Sequence, residues 1–142
     1  MAAGAWVFTT STRTKILSGQ FVSTDTYKIA LFTSASNLTT ASTTFAGVTN
    51  EVGTTNTGYT AGGIAVGPLV LSGTTSVTAK LTTNPVWTAG SANLTAKWAA
   101  LYEVGGDIVA FCTLDSAGAD VTATSGNTLT LDGQTNSVYT LA

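Results

Sequence analysis

The chain has 142 residues and a mass of 14.3 kDa, the length of one domain able to bury a sizeable core. Charged residues make up only 8%, with five Lys/Arg, seven Asp/Glu and a formal net charge of −2, and there is no histidine and one cysteine. These counts exclude histidine-based nucleophile pairs and zinc sites, an intrachain disulfide, and the basic stripe of a nucleic-acid binder; no apolar run approaches the ~18 residues of a membrane span.

The pattern is β nearly throughout. Thirty threonines, 20 alanines and 15 glycines accompany short runs of Val, Ile, Tyr, Phe and Trp, with Gly and Asn between them as turn signals. Residues 1–20 are the exception, an N-terminal arm and a short helix. There Ser11-Thr12-Arg13-Thr14-Lys15-Ile16-Leu17-Ser18-Gly19 offers a capping hydroxyl, a polar–apolar segment and a terminal glycine. Trp6, Phe8, Ile16 and Leu17 are placed to pin it to the domain. Residues 26–33 predict a strand with Tyr27, Ile29 and Leu31 on one face and Lys28, Ala30 and Phe32 on the other.

Residues 34–58 form a long loop, too long for a plain turn. The expectation is a short helix over 40–46 or an arm that orders only against a partner. Residues 63–71, 77–81 and a segment around Trp87 read as strands, with Pro68 placing an edge or a bulge in the first. Residues 96–104 and 107–114 predict a hairpin about Gly105-Gly106, where glycine supplies the positive φ of a tight turn. Strands over 128–131 and 138–141 complete seven or eight. The expected fold is mainly β, a single antiparallel β-sandwich of jelly-roll type spanning 1–142 with one short N-terminal helix.

A folded monomer of this mass exposes on the order of 6,800 Å². Twelve charged side chains at ~100 Å² each cover about a sixth of that. The remainder is hydroxyl, glycine, alanine and amide surface, weakly repulsive between copies and inexpensive to desolvate. Such a surface suits an assembled subunit, with an acidic, weakly charged β domain that works alone as the alternative; the expected assembly is a homo-oligomer (dimer or trimer). About 25 residues with few large apolar groups do not order themselves. The loop and the N-terminal arm are therefore expected to contact partners through Trp6, Phe8, Phe45, Val48 and Val52, the alternative being that these anchors fold back onto their own sandwich. The segment Met1-Ala2-Ala3-Gly4-Ala5-Trp6 lacks the basic and apolar regions of a signal peptide. The expectation is a protein made in the cytoplasm and kept without covalent cross-links.

Few residues could carry chemistry. Asp115 and Asp120 flank one loop, Glu103 and Asp107 another; both pairs read as turn acids, since neither spacing matches a calcium loop. Gly62-Gly63 and Gly105-Gly106 lack the Lys-Ser/Thr of a phosphate loop. Cys112 sits among apolar strand residues and reads as a small hydrophobe. Trp6, Trp87 and Trp98 could stack on a sugar, or serve as core or interface anchors. The threonines are too irregular for an ice-binding array. No catalytic residue, metal site or cofactor is expected, and the chain does not read as an enzyme.

Several segments in order carry a resemblance. They are Asp25-Thr26-Tyr27-Lys28-Ile29-Ala30-Leu31-Phe32-Thr33-Ser34, Asn50-Glu51-Val52, Tyr59-Thr60-Ala61-Gly62-Gly63, Trp87, and Thr95-Ala96-Lys97-Trp98-Ala99-Ala100-Leu101-Tyr102. With the short helix ending at Gly19, they resemble a family of small tailed-bacteriophage virion proteins over residues 10–114. Trp98 stands where that family has a smaller aromatic. The resemblance implies a virion structural protein, a capsid cement or decoration protein on the outer surface of the shell, with the major capsid protein as partner. It brings no catalytic residues, no nucleic acid and no membrane. A tail or neck component of the same virion is the alternative, and a carbohydrate-binding module a more distant one.

Overall fold

In Tyr27–Phe32 every second side chain must face the same way, and here both faces are apolar. The computed structural model, which describes residues 2–141, buries both. Tyr27, Ile29 and Leu31 enter one core, while Ala30 and Phe32 enter a second on the opposite side.

The strands, in chain order, are β1 Val7–Phe8, β2 Tyr27–Phe32, β3 Ile64–Gly67, β4 Val70–Ser72, β5 Val77–Lys80, β6 Val86–Thr88, β7 Leu94–Ala96, β8 Trp98–Glu103, β9 Ile108–Thr113, β10 Val121–Ala123, β11 Thr128–Thr130 and β12 Tyr139–Leu141. One helix, α1, spans Thr12–Leu17. The main sheet has the order β1-β9-β8-β2-β3. Three shorter ladders, β12-β5-β4, β11-β6 and β10-β7, pack over one of its faces. All pairings are antiparallel, and the architecture is a β-sandwich. The main core lies between the layers, with Trp87, Leu94, Leu131 and Val138 meeting Ile29, Leu31 and Leu101.

Most expected strands are present, shortened at their ends. The expected strand over 63–71 is two strands: Gly67, at φ +72°, and Pro68 turn the chain out of the main sheet into β4. β1, β7 and β10 were not anticipated. They are two or three residues long, and runs that short carry no periodic signal.

At α1, Ser11 occupies the N-cap position but makes no side-chain cap bond. The helix is held instead by Thr9 and Thr12, both fully buried. The Thr12 hydroxyl donates to the Val109 carbonyl at 2.6 Å and accepts from the Thr9 hydroxyl at 2.7 Å, which also lies 3.2 Å from the Ile108 carbonyl. At Val109 the β8–β9 register shifts, Tyr102 pairing with Ile108 and Leu101 with Ala110. Gly19 ends the helix at φ +76°. Ile16 packs on the core as expected, but Leu17 is 89% exposed and pins nothing.

Residues 34–58 depart most from expectation. The helix expected over 40–46 is a single 3-10 turn at Phe45–Gly47. The segment is ordered by its own chain, lying across the second face of the main sheet. Leu38, Phe45 and Val48 close over Ala30, Phe32, Ala100, Tyr102, Ile108 and Phe111. Phe45 stacks on Tyr102 with centroids 4.0 Å apart and meets Phe32 edge-on at 6.0 Å. The backbone is tied down as well, by Ile108 N–H to Thr43 O (2.7 Å), Phe45 N–H to Gly106 O (3.2 Å) and Val52 N–H to Leu31 O (2.9 Å). Few large side chains suffice because the sheet supplies the other half of the apolar surface.

Phe45→Ala is therefore expected to destabilise the free monomer by ~2 kcal/mol in denaturant unfolding. Leu17→Ala, on the exposed face of α1, is expected to change stability by less than ~0.5 kcal/mol.

Candidate functional site

The residues that carry the Asn-Glu-Val and Tyr-Thr-Ala-Gly-Gly segments converge on one buried clasp. Glu51 Oε1 accepts from the Tyr59 hydroxyl at 2.6 Å and from the Gly62 N–H at 2.5 Å. The Tyr59 hydroxyl in turn accepts the Leu31 N–H at 3.1 Å, and the Tyr102 hydroxyl donates to the Gly62 carbonyl at 2.6 Å. Gly63 has φ +74°, and a Cβ there would lie 1.9 Å from the Ile29 carbonyl oxygen. The turn therefore needs glycine both for its conformation and for its approach to β2. Glu51 Oε1 and the Tyr59 and Tyr102 hydroxyls are all bonded within the chain, so the clasp fixes the end of the long segment to the sheet.

Burial raises the Tyr59 hydroxyl far above its ordinary range, with the bond to Glu51 adding to the effect. The Cys112 thiol is pushed up to about 12 by burial. A thiol held protonated between Phe111 and Thr113 is no nucleophile.

The acidic residues sit at turns. Asp115 accepts the Ala117 N–H at 3.3 Å, closing its own turn. Glu103 and Asp107 face each other across the β8–β9 hairpin, with the Glu103 N–H donating to the Asp107 carbonyl at 3.1 Å. Asp107 also pairs with Lys15. Sequence reasoning did not single out Lys15, because 92 residues separate it from its partner and no local pattern encodes that contact. Asp132 organises another turn, where the N–H groups of Gln134 and Thr135 and the Asn84 amide hold its carboxylate below the usual range. Among the described residues, no three His, Cys, Asp or Glu side chains gather where a metal could sit.

The tryptophans form no platform. Trp87 is 2% exposed, Trp98 packs edge-on against Phe111 at 5.9 Å, and Trp6 lies on the far side of β9 in the N-terminal arm. A cleft of about 880 Å³ lies between that arm and the C-terminal residues, lined by Trp6, Leu129, Leu131, Val138 and Tyr139 among others.

Five residues were expected to anchor partners. Val52 is a core side chain at 5% exposure, and Phe45 and Val48 seal the second face of the sheet. Trp6 and Phe8 pack on the main core, Phe8 against Tyr139 with centroids 5.0 Å apart. All five are half-buried or buried against their own chain, so the monomer leaves no bare anchor at these positions.

Two adjacent exposed apolar side chains lie elsewhere, on β4, where Val70 and Leu71 are 49% and 50% exposed. β4 is the outer strand of its ladder. The Val138 N–H bonds the Ala79 carbonyl at 2.7 Å, so the Ala79 backbone faces β12. Thr78 and Lys80 then face β4, and Leu71, opposite Ala79, directs its own N–H and C=O outward. No charged residue occurs between Ile64 and Ala79. Natural sheets usually protect such an edge with charge. Pro68 marks an edge or a bulge in this segment, but an apolar strand looks the same whether its edge is paired or open, so the sequence does not show which edge stays open.

No family model, curated protein or solved structure matches the chain.

The raised pKa values fix the sign of the pH dependence. Cys112 and Tyr59 are neutral when folded and ionise more readily when unfolded, from ordinary values of 9.0 and 10.0. Their contribution is complete below those values and is lost as pH rises toward the folded ones. Urea midpoints measured across alkaline pH should hold level to pH ~9 and fall steadily above it. Cys112→Ala should remove the earliest part of the fall.

Proposed function

We propose that the chain is a bacteriophage virion structural protein, a cement or decoration protein that attaches to the outer capsid surface and bridges major capsid protein subunits. Attachment adds interface free energy to the shell, and repetition over many copies turns weak single contacts into tight occupancy. The observation that carries this reading is the open edge of β4. It is apolar, uncharged and unpaired, on a protein whose 6757 Å² surface holds few charges. An extended segment of a shell protein added there would satisfy the backbone of Leu71 and cover Val70 and Leu71. The resemblance through the Tyr-Thr-Ala-Gly-Gly turn supports the same reading, and so does the clasp, in which the polar side chains of that motif are spent on holding the fold.

A tail or neck component is the second reading, since an open edge serves either assembly. The sugar-binding reading loses its support with Trp87 in the core.

Leu71→Lys places a charge on the open edge. In a sedimentation assay with capsid shells lacking this protein, the variant should bind at least about tenfold more weakly, with a monomer Tm within ~2 °C of the parent. Equal binding by the variant would remove β4 as the attachment edge. Binding to purified tails but not to shells would favour the second reading.

A further inference from the structure

Lys15 and Asp107 form the one ion pair among the described residues, and its setting is unlike that of a surface pair. The two side chains are 19% and 25% exposed. The Phe21 ring lies over the Lys15 ammonium, 5.7 Å from centroid to nitrogen. Both backbones are clamped. Lys15 sits on α1, which the buried Thr12 ties to Val109 at 2.6 Å. Asp107 is bridged on one side to Thr44 and on the other accepts the Glu103 N–H at 3.1 Å. Glu103 stands directly across the hairpin, so its side chain and that of Asp107 share a face at the ~5 Å spacing of a cross-strand pair. The Glu103 carboxylate turns back over the hairpin, and a Cβ on Gly106 would lie 3.0 Å from its Oε2.

From this geometry we infer that Lys15 and Asp107 are joined by an intramolecular amide bond, with Glu103 as the proton carrier for its formation. An amine and a carboxyl group are held in contact on rigid elements beside an aromatic ring, and a second carboxylate stands across the hairpin. Lys15 Nζ gives a proton to Glu103, and the freed lone pair attacks Cγ of Asp107. The C–N bond forms and one Cγ–O bond breaks. The oxygen leaves as water with two protons, one returned by Glu103 and one shed by the nitrogen. An ammonium and a carboxylate become one amide and one water, with no oxidant, reductant or activating group. In free solution, water opposes this condensation. Two groups pinned in contact have already lost the freedom that free reactants would lose, and they react at effective concentrations on the order of 10⁵ M or more.

The bond would close a loop between residues 92 apart and weld the N-terminal helix to the central hairpin. A chain with one cysteine has no disulfide route to such a staple. The inference does not depend on the proposed function, and its test does not involve shells.

Intact-mass spectrometry of the purified full chain should show a mass about 18 Da below that of the sequence. Tryptic digestion should give a branched peptide joining residues 14–28 to 98–142. Lys15→Arg, which keeps the ion pair but cannot form this bond, should show its full sequence mass. Glu103→Gln should slow the mass loss at least about tenfold after refolding from a freshly synthesised chain. A parent protein at full mass overturns the proposal. So does a loss of water that persists in Lys15→Arg, which would place it elsewhere, as at Asp132-Gly133. A cross-link that forms at an unchanged rate in Glu103→Gln overturns the role given to Glu103.

Discussion

The structure rests on a sheet whose central strands are buried on both faces. β2 and β8 pair along six residues, and their side chains alternate between two cores. A strand with one solvated face needs a single covering layer; these need two. The short ladders supply one layer. Residues 34–58, which contain no regular strand among the described residues, supply the other. Their order follows from that demand, because the sheet face carrying Phe32, Tyr102, Ile108 and Phe111 would otherwise lie open to water.

Covering a sheet with irregular chain raises a second problem, since its backbone groups need partners. The sheet's ends and edges meet that need through the bonds to Thr43, Phe45 and Val52, and through the Glu51 clasp. The same logic governs the N-terminus. There, beyond the end of β1, the Thr9 N–H and the buried Thr9 and Thr12 hydroxyls meet the Ile108 and Val109 carbonyls. Threonine is common here for two reasons: it fits a pleated strand, and it carries a short hydroxyl that closes gaps of this kind.

The strands of the main sheet were legible because their alternation is regular. In β2 the face of each residue could be read from the sequence. The two-sided burial was also visible in the pairing of Ile29 and Leu31 with Ala30 and Phe32, yet it was not carried through to what must cover the second face. Without that step, residues 34–58 read as a partner-binding segment and Phe45, Val48 and Val52 as external anchors. Counting the apolar groups of the segment alone undervalues it, since the sheet beneath brings the rest. The Glu51 clasp, the Lys15–Asp107 pair and the open edge of β4 all depend on long-range placement, which local pattern does not encode.

The exposed edge of β4 and the sealed second face divide the molecule into a part that is complete and a part that is not. The account depends most on the first: residues 34–58 fold on the sheet within a single free chain. Hydrogen exchange on the isolated monomer tests this directly. The amides of Phe45, Val52 and Ile108 should exchange with protection approaching that of the β2–β8 ladder, since their bonds tie residues 34–58 to the main sheet and its hairpin. Exchange at Phe45 and Val52 at unfolded-chain rates, with β2 and β8 still protected, would contradict it.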